Sequence, residues 1–228
     1  KVLQNRSGSN LIRGIVSEIV SQTNLFGQLD FEYAIFEVEE ASMPKITKYI
    51  KPEQIIVTNL FRDQLDAYGE VDRTQRFIQQ AIDSSQNTQL ILNGDDPRVN
   101  SMSVGNKNNV QYFGIKDKLI GNFNYEGKKS EALPNIEFAK NIEITNTLGT
   151  KFKYNAQEFH INIPGYFNVY NAMASILSAL NVGINIDDIR TALTKTKPAF
   201  GRGEIININD KKLHIFLVKN PAGLNLNL

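Results

Sequence analysis

The chain has no cysteine among its 228 residues. That excludes disulfides and any thiolate metal site, and it fits a reducing compartment. Charge of one sign is also missing: 25 Lys and Arg oppose 24 Asp and Glu, for a net charge of +1. No global field therefore favours nucleic acid or an anionic membrane. No run approaches the roughly 18 apolar residues that a membrane helix requires. The two histidines, His160 and His214, stand apart in strand-like segments and read as structural, so no Ser-His-Asp constellation is in view. A G-x-x-x-x-G-K-[ST] loop, whose backbone and Lys hold the phosphates of a nucleotide, is absent from these residues too.

What remains is ordinary for a globular protein, with 41% hydrophobic and 21% charged residues. The length suits one large domain, or one domain and part of another. The sequence opens on Lys1 rather than Met, which raises the expectation that both ends are cut from a longer protein. Apolar residues Leu11, Ile12, Ile15, Val16, Ile19 and Val20 recur at helical spacing, after a Ser7-Gly8-Ser9-Asn10 segment suited to an N-cap. Strands are expected at 31–38, 55–57, 90–92 and 110–113, the second of them buried on both faces. Helices are expected at 44–49 and 74–82. Alternation of strand and helix over this half is the signature of a parallel α/β sheet.

After residue 115 the texture changes. Residues 118–134 are polar and read as an irregular excursion. Residues 142–145, 151–154 and 158–163 alternate apolar and polar types, as short antiparallel strands at a sheet margin do. Helices should follow at 169–180 and 186–194. Lys197-Pro198-Ala199-Phe200-Gly201-Arg202-Gly203 reads as a hinge, and 204–208 with 213–218 as a hairpin around Asn209-Asp210.

Two polar bursts follow apolar strands: Glu37, Glu39 and Glu40 after the first, and Thr58 to Asp66 after the second. Ligands of open parallel sheets collect beyond the carboxyl ends of the strands. The two strands are expected to be parallel neighbours, so that several carboxylates crowd one edge, and a hard cation such as magnesium would relieve their repulsion. Solvation of a strand end explains the same glutamates without a metal. Asn168 and Asn171 lie three apart at a helix start, on one face, and their amides could pair with an adenine edge. Helix capping by Asn168 is the simpler account. Arg202, flanked by glycines, could reach a phosphate or stand as an ordinary linker arginine.

The segment TNLFRDQLDAYGEVDRT (58–74) resembles the stretch after a central strand in the Mur ligase superfamily. Within it, the chain is similar to the Mur-ligase-like subunits of lipid II isoglutaminyl synthases, which amidate glutamate in peptidoglycan precursors. Asn5-Arg6-Ser7-Gly8-Ser9-Asn10, FEVEEAS (36–42), LILNGDDP (90–97), residues 165–172, GRGE (201–204) and LVKNPAG (217–223) fit in the same order. The resemblance implies a central α/β ATPase domain over 1–198, with a mostly parallel sheet of six strands, flanking helices and a small antiparallel flank. A truncated C-terminal domain would begin at 199–228, and the phosphate loop would precede Lys1. It implies ATP and magnesium as cofactors, a glutamine amidotransferase subunit as heterodimer partner, lipid II as substrate and a cytoplasmic location. Glu40 matches the magnesium-holding Glu, with Glu37 the alternative alignment. Gln64 stands where amino-acid-adding ligases carry His, and Asp63 and Asp66 are expected to orient the site. Asn168 and Asn171 match the adenine-side motif, Arg202 the ATP-contacting arginine and Asn10 an asparagine near the substrate.

Residues 72–106 hold no Lys, so the carbamylated lysine of many amino-acid-adding ligases has no counterpart. A zinc ribbon common in this subunit family has no cysteines here, and no zinc is expected. An amino-acid-adding or folylpolyglutamate-type ligase, or a non-catalytic scaffold subunit, are the competing implications. This stretch alone is expected to be inactive.

Overall fold

The computed structural model describes residues 1–5, 8–60, 71–103, 109–116, 133, 135–145, 149–197, 202–209 and 211–216. They fall into two compact units. The first comprises Lys1–Glu53 and Asp72–Thr88, the second Gln54–Val71 and Gln89–Leu228.

In the first unit, β1 (Val2–Gln4) pairs in parallel with β2 (Tyr33–Ile35), Leu3 opposite Ala34. Helix α1 (Ile12–Gln22) connects them. Its apolar stripe is the one read from the sequence, but only Ile15 is deeply buried, while Val16 and Val20 are 51% and 65% exposed. The expected polar cap is absent: Leu11 occupies the N-cap position without a side-chain hydrogen bond. The preceding loop approaches the helix closely there, since a Cβ on Gly14 would lie 2.6 Å from the Ser9 carbonyl oxygen. A 3-10 turn, Glu40–Ser42, leads into α2 (Met43–Ile46). The amphipathic α3 (Val71–Ser84) meets α2 through the Thr47 and Ser84 hydroxyls, 3.0 Å apart.

The second unit is built on a six-stranded sheet in the order β3 (Gln54–Val57), β4 (Gln89–Asn93), β5 (Val110–Ile115), β6 (Ile136–Ile144), β7 (Thr150–Tyr154) and β8 (Gln157–Ile161). β3 to β6 run parallel, and β6 to β8 antiparallel. This is the mostly parallel sheet with an antiparallel flank, though its parallel part has four strands rather than six. The pair β1–β2 forms its own sheet. Strand neighbours are chosen by backbone register and crossover, and an apolar–polar pattern does not encode them. For the same reason β2 and β3, which the sequence reading took as neighbours, belong to different sheets. Nor is β3 buried on both faces. Ile55 and Val57 are buried, but Ile56, on the opposite face, is 40% exposed, and among the described strands β3 ends the sheet order.

Short α4 (Pro97–Asn100) follows β4. Helix α5 (Tyr166–Asn181) lies against β3, β4 and β5, and α6 (Ile186–Leu193) packs on α5 and β8. Their apolar faces close the main core with Phe113, Phe152, Phe159, Met173 and Ile176, all fully buried. A hairpin of β9 (Arg202–Ile208) and β10 (Lys211–Phe216) follows. The expected domain boundary after residue 198 and most of the 118–134 excursion lie outside the described residues. No described helix is long and apolar enough to cross a membrane.

Phe152 faces Phe159 across the β7–β8 ladder, with stacked rings 5.5 Å apart. Phe152→Ala should destabilise the second unit by about 3–5 kcal/mol, read as a lower urea midpoint. Phe26→Ala, at a position 88% exposed, should stay within about 0.5 kcal/mol of the parent.

Candidate functional site

Each unit gathers polar residues of its own. In the first, Asn5 extends the β1–β2 pairing with its side chain. Its Oδ1 accepts the Glu37 N–H at 2.9 Å, and its amide donates to the carbonyls of Glu37 and Ser9 at 2.8 and 2.9 Å. The Asn10 carbonyl accepts the Glu39 N–H at 3.0 Å. Asn10, Glu37 and the Glu39-Glu40 turn are thus fastened into one corner through backbone groups.

The three glutamates divide there. Glu39 caps the 3-10 turn, its Oε2 accepting the Ser42 N–H at 3.0 Å. The carboxylates of Glu37 and Glu40 make no hydrogen bond or ion pair to any described residue, Glu37 exposed and Glu40 half-buried. Among the described residues no group of three or more His, Cys, Asp or Glu is placed to enclose a metal. Magnesium is held by one or two carboxylates together with waters and substrate phosphates rather than by an all-protein cage. A half-buried, unengaged Glu40 with Glu37 three residues away fits that donor set. Asp63, Gln64 and Asp66 lie outside the described residues, as does the side chain of Arg202, which begins β9.

In the second unit the carboxyl ends of β3, β4 and β5 converge on a network that includes none of the site residues expected from the sequence except, through its neighbour Tyr170, the start of the Asn168–Asn171 helix. Asn93 donates its amide to Asn59 Oδ1 at 2.9 Å, and its own Oδ1 accepts the Asp95 N–H at 2.9 Å. Asp95 Oδ2 accepts the Ile115 N–H at 2.7 Å and the Tyr170 hydroxyl at 2.8 Å. Asp96 Oδ2 accepts the Leu60 N–H at 2.7 Å, while its Oδ1 caps α4 through Arg98 N–H and Val99 N–H at 2.9 and 3.3 Å. Burial pushes both carboxyls above their ordinary value of 3.8, and these hydrogen bonds pull them partly back. The available signal was two adjacent carboxylates directly after an uninterrupted buried strand. Gly114 belongs to the same device, since a Cβ there would lie 2.9 Å from both Asp95 carboxylate oxygens.

Helix α5 begins beside this network. Gly165, at φ +101°, takes the N-cap position, a conformation that favours glycine. Asn168 is therefore not the cap. Its amide donates to the Pro164 carbonyl at 2.7 Å, clamping the entry loop. Asn171 lies one turn further on and is exposed. An exposed amide at a helix start, such as that of Asn171, offers a base edge both donor and acceptor.

A family model for the Mur ligase middle domain matches residues 16–179. The chain belongs to the Mur ligase family. The Mur ligase fold is seen again in the crystal structure of MurF from Acinetobacter baumannii, with a TM-score of 0.76 at 19% identity over 99% of this chain and 47% of that one. Among curated proteins, this Mur ligase chain is similar to the MurT subunit of lipid II isoglutaminyl synthase (glutamine-hydrolyzing) from Streptococcus pneumoniae. They are 30% identical over 98% of this chain and 56% of that protein. The corresponding subunit from Staphylococcus aureus is 28% identical over 100% of this chain and 57% of its own. The chain thus spans just over half the length of the curated relatives it matches.

The raised carboxyls of Asp95 and Asp96 set a pH dependence. Between 3.8 and each higher folded-state value, the fold binds more protons than the unfolded chain. Their contribution is therefore full below 3.8 and is lost as pH rises through the folded-state values. Urea midpoints should show the parent losing stability relative to Asp95→Asn as pH rises through that window.

Proposed function

We propose that this chain is the nucleotide-handling part of an ATP-dependent, amide-forming ligase that amidates the glutamate carboxylate of lipid II. The observation that carries the reading is the match to isoglutaminyl synthase subunits over 98–100% of the chain. In this reading the glutamate carboxylate attacks the γ-phosphorus of ATP, releasing ADP and leaving an acyl phosphate. Ammonia from a glutamine amidotransferase partner then attacks the acyl carbon, phosphate departs, and a proton is lost from nitrogen to give the amide. The working unit is a heterodimer in the cytoplasm, meeting its lipid-linked substrate at the membrane surface.

The first step brings two anions together and is slow unless their repulsion is screened. Magnesium, when bound, would supply that screening from a position on Glu40, with Glu37 as the alternative ligand and Gln64 on a metal-bound water or phosphate. Asn10 faces the substrate in this reading, and Asp63 and Asp66 orient the groups around Gln64. Asn168 and Asn171 take the adenine edge, and Arg202 reaches the phosphates. Support for Glu40 comes from its unengaged carboxylate and from the backbone anchoring of its turn to Asn10. An amino-acid-adding ligase would place His where Gln64 stands and a Lys within 72–106; neither is present.

In the complete gene product with its amidotransferase, Glu40→Ala should lower glutamine- and magnesium-dependent lipid II amidation by about 100-fold. Undiminished amidation in that variant would remove Glu40 from the metal role. A parent protein that consumes no ATP with lipid II and glutamine would overturn the ligase reading.

A further inference from the structure

The start of α5 is joined to the sheet by a directional contact that the proposed chemistry does not use. Apolar packing of a helix on a sheet is non-directional, and by itself leaves the helix free to turn or slide by small amounts. At the far end of α5, Gln54 donates to the Ser178 carbonyl at 3.2 Å, and Asn181 to Gln111 Oε1 at 2.7 Å. At the near end, the Tyr170 hydroxyl donates to Asp95 at 2.8 Å. Tyr170 is only 1% exposed, its ring edge-on to Phe113 with centroids 6.4 Å apart. Asp95 is in turn fixed by Ile115 N–H and by Asn93, which reaches Asn59. A glycine at position 114 leaves room for the carboxylate. One continuous run of hydrogen bonds therefore extends from the exit of β3, through the ends of β4 and β5, to the residue immediately before Asn171.

We propose that Asp95 and Tyr170 are positioning residues that set the orientation of Asn171, beside the Pro164-anchored Asn168, toward a purine base. Base discrimination is then governed by a buried pair that never touches the nucleotide. This rests on the assignment of the two asparagines to adenine. The logic is geometric: Asn171 is exposed and carries no side-chain restraint of its own of the kind Asn168 has in Pro164, so its direction is inherited from the helix. A rotation of α5 by a few degrees would move its amide by a fraction of an ångström. An amide–base pair accepts little such error, because hydrogen bonds weaken steeply with misalignment.

The test is equilibrium binding of ATP and of inosine triphosphate to the complete gene product, by calorimetry. Inosine exchanges donor and acceptor along the base edge and leaves the phosphates alone. Tyr170→Phe keeps the ring and removes the hydroxyl. It should weaken ATP about ten-fold while leaving inosine triphosphate unchanged, so that the preference for ATP falls by the same factor. Asp95→Asn keeps an oxygen able to accept both donors and should retain the preference. Tyr170→Phe with an unaltered ATP preference, or with both nucleotides weakened equally, would overturn the inference. A parent protein that binds both nucleotides equally would instead remove the adenine assignment, and this inference with it.

Discussion

Two consecutive carboxylates at the end of β4 hold the carboxyl edge of the larger sheet together. Residues 94–96 form a turn beyond β4, and from it each carboxylate reaches a different neighbour. Asp95 turns to β5 and accepts the Ile115 N–H, while Asp96 turns to the exit of β3 and accepts the Leu60 N–H. Strand ends leave backbone donors without ladder partners, and a buried donor without a partner is costly. The pair satisfies donors on both sides from one central strand. Their burial makes the carboxylates costly to ionise, so the arrangement holds only because each receives several donors at once. Adjacent side chains then inherit a fixed frame: Asn59 through Asn93, α4 through its cap, and the start of α5 through Tyr170.

The smaller unit solves a related problem by different means. A carboxylate that is to meet a cation or substrate cannot spend its oxygens on the fold. Asn5 and Asn10 instead hold Glu37 and the Glu39-Glu40 turn by their main chains. Among the three glutamates only Glu39 is committed to structure, as a cap. Carboxylates fixed by their backbone and left open at their oxygens suit a ligand that arrives with its own charge and water.

Much of this was written in the sequence. The helices at α3, α5 and α6 and the strands β3, β4, β5, β7 and β8 follow from apolar period and breaker residues. The antiparallel flank at β7 and β8 is equally plain, but β6 starts at Ile136 rather than 142 and pairs in parallel with β5 before it turns antiparallel to β7. The motif order from Asn5 to GRGE pointed to the Mur ligase family, whose middle domain matches residues 16–179. Other features were not legible. The apolar stripe on α1 is present, yet Val16 and Val20 on it face solvent, which the spacing alone does not show. Ser7 to Asn10 offered cap residues, yet Leu11 is the cap and Gly14 supplies the close approach. Nothing in the five letters NGDDP says which backbone donors its carboxylates will find.

The division follows from range. The sequence by itself determined most of the elements, the α/β class and the residues able to do chemistry, because periodicity, propensity and side-chain type are local properties. Only the tertiary structure decided that β2 pairs with β1 while β3 pairs with β4, that Glu39 is consumed as a cap while Glu40 is not, and that Asp95 meets Tyr170 from 75 positions away. Those outcomes depend on which backbone donors and acceptors are brought within about 3 Å after the chain has folded. Separation along the chain carries no information about that.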